Sequence, residues 1–383
     1  MLKEYCLKLP KAVYDGENAM QKLALILDNT NKKVALFTSP EIISVGLCDE
    51  AIGVIKSLGK EVTIDSKLPA EPTYTQVQET VNWFRASGSD CILAIGGGSV
   101  MDAAKLASIL ATDEYSVKDL LDNPKLAKKQ VKSIMVPTTA GTGAETTPNA
   151  IVAVPEKELK VGIVNDDMIA DAVILDDKMI AHLPRKIAAS TGLDTLCHAI
   201  ECFTSNKANP ISDAFALDAL ELTVKNLEIA CDDPDAVEAK RAMQLASFFG
   251  GIAITASGTT AVHALSYPLG GRYHVAHGVS NAILLMPVMR FNLPAIKDRL
   301  ACAYERCIAG GATTTDEKAN AMLERMNEIV EHLNMPKKLE ELGVKDVPVD
   351  ELVEAGMQVQ RLLVNNAREV TPADAKAIYE QIL

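Results

Sequence analysis

The chain has 383 residues, of which 48% are hydrophobic, and its formal net charge is −13. This length predicts two or three domains with a sizeable core, and the acidic balance argues against nucleic acid or an anionic membrane surface as a partner. The eight cysteines include no Cys-x-x-Cys pair, so we expect neither a zinc ribbon nor a disulfide framework, and a cytoplasmic location. No apolar run is expected to span a membrane, and the first five residues lack the form of a signal peptide.

The first half of the chain alternates short strand-like and helix-like segments. Apolar runs typical of buried strands cover residues 34–38, 61–64, 91–95, 133–136 and 172–176, and helical patterns cover residues 48–58 and 74–87. Residues 151–164 are predicted to form a hairpin with its turn at residues 155–158. Such alternation is typical of β-α-β units, so the predicted fold class is α/β, with an N-terminal doubly wound parallel sheet.

A first glycine-rich loop, Gly96-Gly97-Gly98-Ser99, comes directly after a strand candidate and opens a helix that carries Asp102. Glycines let the backbone approach a ligand closely, and the free N–H groups at a helix start favour phosphate. The alternative is a tight strand-to-helix turn that binds nothing.

A second loop, residues 137–145, follows the strand candidate at residues 133–136 and offers several threonine hydroxyls. On its own it could equally be a plain polar loop. Because both loops lie at the carboxyl ends of strands, where ligands bind in open α/β sheets, together they favour a dinucleotide.

From residue 187 onward helical periodicity dominates. Helix candidates cover residues 188–204, 210–230, 234–250, 261–267, 281–292, 294–309, 317–333, 350–362 and 372–381. The change predicts a boundary near residue 183, with a nucleotide-binding α/β domain at residues 1–183 and an all-helical domain at residues 184–383.

Asp194 and His198 lie four residues apart in an apolar helical stretch, so both side chains point the same way. Burying a carboxylate and an imidazole together is costly unless each has a partner, and a divalent cation satisfies both. The alternative is an aspartate near a helix start beside an unrelated histidine.

Three further histidines favour the metal. His263 lies at an apolar helix start, where it could also be an ordinary core residue, and His274 and His277 lie in a glycine-flanked segment. With Asp194 and His198, His263 and one of the other two would supply one oxygen and three nitrogens. Such a set suits zinc or ferrous iron better than calcium or magnesium.

In their order along the chain, these motifs resemble those of the iron-containing (metal-dependent, type III) alcohol dehydrogenase family. The resemblance runs from Leu9-Pro10-Lys11 to at least Asn292, beyond which only a helical tail of the right length is seen. It implies one divalent metal, Fe²⁺ or alternatively Zn²⁺, held by Asp194, His198, His263 and His277. It also implies that NAD or NADP binds along the glycine-rich loops. The residues expected to contact the cofactor are Gly96, Gly97, Gly98, Ser99, Asp102, Thr138, Thr139, Thr142, Asn149 and Lys160. For Lys160, a solvated surface lysine is the alternative.

Two positions depart from the family pattern. Many members carry a further histidine where this chain has Tyr267. Either Tyr267 takes over the proton relay, with His274 in a supporting role as the other candidate catalytic residue, or the proton exchanges directly with water. NAD-preferring members often have an acidic residue where this chain has Ser39. Without that carboxylate at Ser39 a 2′-phosphate is not repelled, so we expect NADP(H) to be tolerated or even preferred.

The resemblance implies a metal-dependent alcohol dehydrogenase, or aldehyde reductase, that transfers hydride between nicotinamide and a short-chain aldehyde or alcohol. The pocket is expected near Phe248, Phe249, Ile254 and Arg272, and Arg272 would suit an anionic substrate. A sugar-phosphate cyclase of the same superfamily is the alternative, disfavoured because few cationic side chains lie near the metal motifs; a non-catalytic binding protein is a third. Family members are commonly dimers or larger, which implies a homo-oligomer.

Overall fold

The computed structural model describes residues 5–383, and these residues fall into two compact units. The first, here named the sheet unit, comprises residues 8–139 and 143–183. The second, the helical unit, comprises residues 5–7, 140–142 and 184–383. Residues 140–142, in the middle of the second glycine-rich loop, therefore group with the helical unit rather than with the strand that precedes them.

The sheet unit contains eight strands among its described residues. They are β1 Ala12–Asp15, β2 Lys33–Phe37, β3 Glu61–Asp65, β4 Cys91–Gly96, β5 Lys132–Pro137, β6 Asn149–Val154, β7 Leu159–Val164 and β8 Ala172–Leu175. Six of them form a parallel sheet in the order β1-β8-β5-β4-β2-β3, and β6 and β7 form the predicted antiparallel hairpin. Every residue of β4 is buried, as expected for an inner strand of a parallel sheet. The predicted α/β class is confirmed.

The helices of the sheet unit connect successive strands. They are α1 Leu23–Ile26, α2 Pro40–Ser44, α3 Asp49–Ser57, α4 Tyr74–Ser87, α5 Gly98–Ile109 and α6 Val117–Asp122, with 3-10 turns at Ala19–Lys22, Pro155–Lys157, Asp166–Met168 and Asp177–Met179. The bounds of α4 match the prediction because its ends carry strong local signals. Thr73 and Gln76 form a capping box at its start, and Gly88, at φ 65°, ends it.

Several short elements were not predicted, namely β1, α1, α2 and α6. Strand β1 pairs with β8 at the edge of the sheet, and its four residues alternate between half-buried and exposed. A strand of this length and exposure carries too little hydrophobic pattern to be recognised from the sequence.

The helical unit is all-helical, as predicted. Its helices are α7 Arg185–Thr204, α8 Pro210–Asp232, α9 Val237–Ser257, α10 Ala261–Tyr273, α11 His277–Cys307, α12 Thr315–His332, α13 Val349–Met357, α14 Gln360–Leu363 and α15 Pro372–Glu380, with a 3-10 turn at Leu339–Leu342. Helix α7 packs against α8, α9 and α11, and its residues 192–204 are all buried. A helix buried on every side forms the centre of its domain.

Two predicted helix boundaries are wrong. Residues 281–292 and 294–309 were expected to form separate helices, but α11 runs through both with Pro294 inside it. Proline removes one backbone hydrogen bond, and here the buried stripe on both sides of it, including Asn292, Ile296 and Leu300, continues along one helix. Conversely, the single helix expected at residues 350–362 is broken into α13 and α14.

Helix α11 also bears on the membrane prediction. By length and composition it could cross a membrane, which is weak evidence for a span. However, 61% of the apolar window is buried inside the fold, and core helices of soluble proteins pass the same test. Helices α9 and α10 would pass it only as a pair, and they are bent by 107° at their junction.

Candidate metal centre and cofactor loops

Helix α7 carries the first half of the metal group. Asp194 is only 2% exposed and His198 is also buried, and the four-residue spacing places Asp194 Oδ1 3.5 Å from His198 Nε2. Gly192 lets α8 approach α7 closely here, since a Cβ at this position would lie 2.2 Å from a methyl carbon of Leu227. The predicted shared face of Asp194 and His198 therefore lies deep in the helical unit.

Two more helices complete the group. His263 from α10 places its Nε2 3.4 Å from Asp194 Oδ1, and His277, the first residue of α11, places its Nε2 3.7 Å from the same oxygen. One atom from each of the four side chains lies within 4.8 Å of the others. His274 instead ends α10 with φ 55° and is exposed, so the fourth side chain of the group is His277.

The geometry of these four side chains fits a divalent cation. Ligand atoms about 2.1 Å from a shared tetrahedral ion lie about 3.4 Å apart, close to the observed separations of 3.4 to 3.7 Å from Asp194 Oδ1. Three imidazole nitrogens and one carboxylate suit iron or zinc. The side chain of His277 is 29% exposed, so one side of the group is open to solvent.

The charges of the group are strongly coupled. Burial alone would raise the pKa of Asp194, but the three neighbouring histidines outweigh burial and lower it. Burial alone would lower the pKa of His263, but Glu201 and Asp194 raise it to about 9. A metal cation that binds here therefore replaces the proton that His263 holds in the metal-free protein.

Two groups around the ligands were not predicted from the sequence. Nδ1 of His198 lies 3.1 Å from the carbonyl oxygen of Gly141, in the segment that groups with the helical unit. The amide nitrogen of Asn281 donates to Asp194 Oδ1 at 2.7 Å and lies 3.1 Å from His263 Nε2. Asn281 stands four residues after His277, a spacing that places both on one face of α11; that spacing was the signal available in the sequence.

Glu201 is a third unpredicted contributor. It lies three residues after His198 on α7 and accepts a hydrogen bond from Nδ1 of His263. Burial alone would raise the pKa of Glu201, but His263 and the other donors lower it, so the carboxylate is ionised. A glutamate that shares a helix face with two ligand candidates could have been recognised from its spacing alone.

The first glycine-rich loop lies between a strand and a helix, as predicted. Gly96 ends β4, and Gly97 caps α5, which begins at Gly98. A Cβ at Gly96 would lie 2.7 Å from Cβ of Val100, so only glycine fits there. The hydroxyl of Ser99 accepts a hydrogen bond from the backbone N–H of Glu71 at 3.1 Å, within the sheet unit. The free backbone N–H groups at the start of α5 are suited to an anion.

Asp102 makes contacts within the sheet unit. One carboxylate oxygen accepts from the backbone N–H of Ile151 at 2.9 Å, and the other pairs with Lys105 at 2.8 Å. Lys105 is fully buried and donates to the carbonyl oxygens of Ala144 (2.9 Å) and Asn149. The predicted cofactor residue Asp102 thus belongs to a buried network that holds the second loop.

Lys160 is buried rather than a solvated surface lysine. It lies on β7 and pairs with Glu71 at 2.8 Å. Asn149, at the start of β6, is half-buried. Thr138 is buried, Thr139 half-buried, and Thr142 lies in the segment that groups with the helical unit.

The residues that depart from the family pattern have defined surroundings. Tyr267 is buried on α10, and its ring centroid is 6.2 Å from that of His277. Ser39 precedes α2, and its side chain bonds to the exposed carboxylate of Glu41, whose pKa this contact lowers. Arg272 forms an ion pair with Glu351, so its charge is already balanced.

The expected pocket residues lie on two elements of the helical unit. Phe248 is buried on α9, beside the half-buried Phe249 at a ring distance of 6.1 Å. Gly250, next along α9, faces the metal group, since a Cβ there would lie 3.5 Å from Cβ of His198. Ile254 is half-buried one turn further on. The part of α9 that faces His198 therefore carries Gly250 and, four residues on, the apolar side chain of Ile254.

Comparison with known proteins supports a metal-dependent dehydrogenase. The family model described as "Iron-containing alcohol dehydrogenase" matches residues 10–177, and "Fe-containing alcohol dehydrogenase family, C-terminal" matches residues 188–383. The chain belongs to the iron-containing alcohol dehydrogenase family. The second match extends to residue 383, past Asn292, the position to which the motifs at least carried the resemblance.

Individual relatives agree over almost the whole chain. A long-chain-alcohol dehydrogenase of Geobacillus thermodenitrificans is 31% identical, covering 91% of this chain and 89% of its own. An NAD-dependent methanol dehydrogenase of Bacillus methanolicus is 30% identical, covering 98% and 99%. The crystal structure of a 1,3-propanediol oxidoreductase superposes with a TM-score of 0.94 at 28% identity over both full chains. These similarities identify an alcohol-oxidising oxidoreductase and do not favour the cyclase alternative.

Proposed function

We propose that this enzyme transfers hydride between NAD(H) and a short-chain alcohol or aldehyde, using Fe²⁺ held by Asp194, His198, His263 and His277. The observation that carries the proposal is the convergence of one carboxylate oxygen and three imidazole nitrogens from three helices within 4.8 Å. A relative named as NAD-dependent supports the choice of cofactor. When bound, the metal supplies Lewis acidity to the substrate oxygen.

The chain's own residues prepare this site. The carboxylate of Asp194 is kept ionised by its three neighbouring histidines, so the group carries the negative charge that a cation needs. We assign the proton relay to Tyr267, because its ring is buried next to His277. His274, exposed at the end of α10, has the supporting role of shaping the turn that leads into His277.

We propose an uncharged substrate. An anionic aldehyde would need a free cation, and Arg272, the candidate for that task, is already paired with Glu351. Gly250, which faces His198 from α9, and Ile254 four residues on favour an apolar alkyl chain. A panel that compares a primary alcohol with the hydroxy acid of equal chain length tests this assignment.

We propose that NADP(H) is tolerated beside NAD(H). Ser39 itself offers no carboxylate, but Glu41 bonds to its side chain and brings a negative charge close to it. The carboxylate of Glu41 would repel the 2′-phosphate of NADPH, so we propose that the enzyme prefers NADH. The tolerance is refuted if NADH gives a kcat/KM more than tenfold above that of NADPH, and Glu41→Gln should shift the ratio toward NADPH.

We propose a cytoplasmic homo-oligomer, a dimer or larger, with neither nucleic acid nor a membrane as partner. The acidic net charge of −13 supports the absence of polyanionic partners. The family's usual assembly supports the oligomer. Sedimentation of the metal-loaded enzyme tests it, and a single monomeric species would refute this part of the proposal.

The central experiment follows metal and activity together. The metal-free protein is supplied anaerobically with Fe²⁺ or Zn²⁺, and NADH oxidation is measured with short aldehydes. His263→Ala should lose bound metal and turnover together, because it removes one of three nitrogens. His182→Ala is the matched control, since His182 is exposed and outside the group. Wild-type metal content in His263→Ala would refute the site.

A further inference from the structure

A single carboxylate of α7 reaches both the start of α10 and a metal-ligand candidate. Glu201 has no exposed surface. Its Oε1 accepts from the backbone N–H groups of Thr260 at 3.0 Å and Val262 at 2.8 Å, and from the hydroxyl of Thr260 at 2.6 Å. Its Oε2 accepts from Nδ1 of His263. One oxygen thus caps the helix, and the other holds the imidazole.

We propose that Glu201 is a positioning residue that selects the tautomer of His263 able to bind metal. A neutral imidazole carries one proton, and a proton held on Nδ1 leaves the lone pair on Nε2. Nε2 is the atom that faces Asp194 Oδ1 at 3.4 Å, inside the metal group. The inference rests on the metal site proposed above.

The acceptor for His263 differs in kind from the acceptor for His198. Nδ1 of His198 meets a backbone carbonyl, that of Gly141, which belongs to the main chain. Nδ1 of His263 meets a side-chain carboxylate, which accepts on both oxygens and donates on neither. The tautomer of His263 is therefore under the control of one replaceable group, as in other sites where an outer carboxylate orients a ligating histidine.

Replacing Glu201 by glutamine should invert that control. Three donors point at the position of Oε1, so the amide oxygen stays there and the amide nitrogen faces His263. The amide nitrogen donates to Nδ1, and the imidazole proton is then on Nε2, where no lone pair remains for a metal. Glu201→Ala removes the cap altogether but leaves Nδ1 free to keep its proton.

The order of the two variants in stability should therefore be the reverse of their order in metal affinity. For the stability of the metal-free protein, glutamine keeps part of the helix cap and should exceed alanine. For metal affinity, alanine should exceed glutamine. A purely structural role of Glu201 would give the same order in both measurements.

The test uses metal-free wild type, Glu201→Gln, Glu201→Ala and the control Thr204→Val. Thr204 is buried on the same helix, and its hydroxyl donates to the carbonyl oxygen of Ile200 in that helix. Zinc is titrated against a chromophoric chelator, and thermal unfolding is recorded without metal. We expect zinc affinity to fall about 100-fold in Glu201→Gln and about 10-fold in Glu201→Ala, with the control unchanged. Glu201→Gln binding zinc as tightly as Glu201→Ala, or more tightly, would overturn the inference.

A second measurement does not depend on how the variants fold. In ¹⁵N NMR of zinc-loaded wild type, His263 should show a slowly exchanging Nδ1–H, and its absence would overturn the inference. A wild type that binds no zinc would overturn the metal site and the inference together. A wild type that binds zinc alongside an equally competent Glu201→Gln would overturn the inference alone.

Discussion

Glu145, in the second loop, is a buried carboxyl whose protonation should govern the stability of the sheet unit. Neither of its oxygens bonds to another residue in the described part of the chain. Burial raises its pKa from the ordinary value of 4.5 to about 7, against smaller opposing effects of its own backbone N–H and of Lys105. The folded protein therefore holds this proton more tightly than the unfolded chain does.

The sign and size of the effect follow from that difference. The stabilising contribution of the protonated group is complete below about pH 4.5 and is lost as the pH rises to about 7. Because one pH unit of difference in pKa corresponds to about 1.4 kcal/mol, the whole loss is about 3 kcal/mol. Glu145→Gln cannot ionise, so between pH 5 and pH 8 its free energy of unfolding should rise relative to wild type by about 2 to 3 kcal/mol.

Tryptophan fluorescence provides a local assay. The single tryptophan, Trp83, lies on α4 in the sheet unit, with its ring centroid 5.6 Å from that of Phe37. Urea unfolding is followed at Trp83 at pH 5, 6, 7 and 8 without cofactor. Glu79→Gln, which removes an exposed carboxyl from the same helix, is the control and should parallel wild type. A difference between wild type and Glu145→Gln that stays constant with pH would refute the reasoning.

Two further substitutions test buried contacts, one in the sheet unit and one in the helical unit. Lys105→Met should lower the free energy of unfolding of the sheet unit by about 3 kcal/mol, because it leaves Asp102 buried without its charge partner; an unchanged urea midpoint at Trp83 would contradict this. Gly141→Ala should weaken zinc binding about 10-fold, because its Cβ would lie 2.6 Å from a side-chain carbon of α7 and displace the carbonyl that meets His198. Wild-type zinc affinity in the chelator competition would show that this carbonyl does not matter.

The parts of the fold that the sequence predicted are those with strong local signals. Helix α4 has a capping box at one end and a left-handed glycine at the other, and its range was predicted residue for residue. Strand β4 is a continuous apolar run, so its position was also clear. Helix α11 was divided wrongly because Pro294 is a local stop signal, whereas the buried stripe that carries the helix through it depends on tertiary packing.

For the metal group too, the sequence predicted what depends on local spacing and missed what depends on tertiary contacts. The four-residue spacing of Asp194 and His198 was visible in the sequence, and the structure brings His263 and His277 to them. The choice between His274 and His277 needed the resemblance, because both lie in one short glycine-flanked segment. Lys105 and the carbonyl of Gly141 escaped notice because their roles depend on backbone oxygens distant in sequence, which no pattern of residue types records.

Gly278, directly after His277, bears on how this enzyme can be re-engineered. A Cβ at this position would lie 2.1 Å from the carbonyl oxygen of Ser190 on α7, so the main chains of α11 and α7 touch at this point. The distance between His277 and the residues of α7 is thus set by backbone against backbone, without a side chain that could be trimmed or enlarged. Substrate-range libraries can vary Ile254, which is half-buried on α9, but Gly278 should remain constant in all of them.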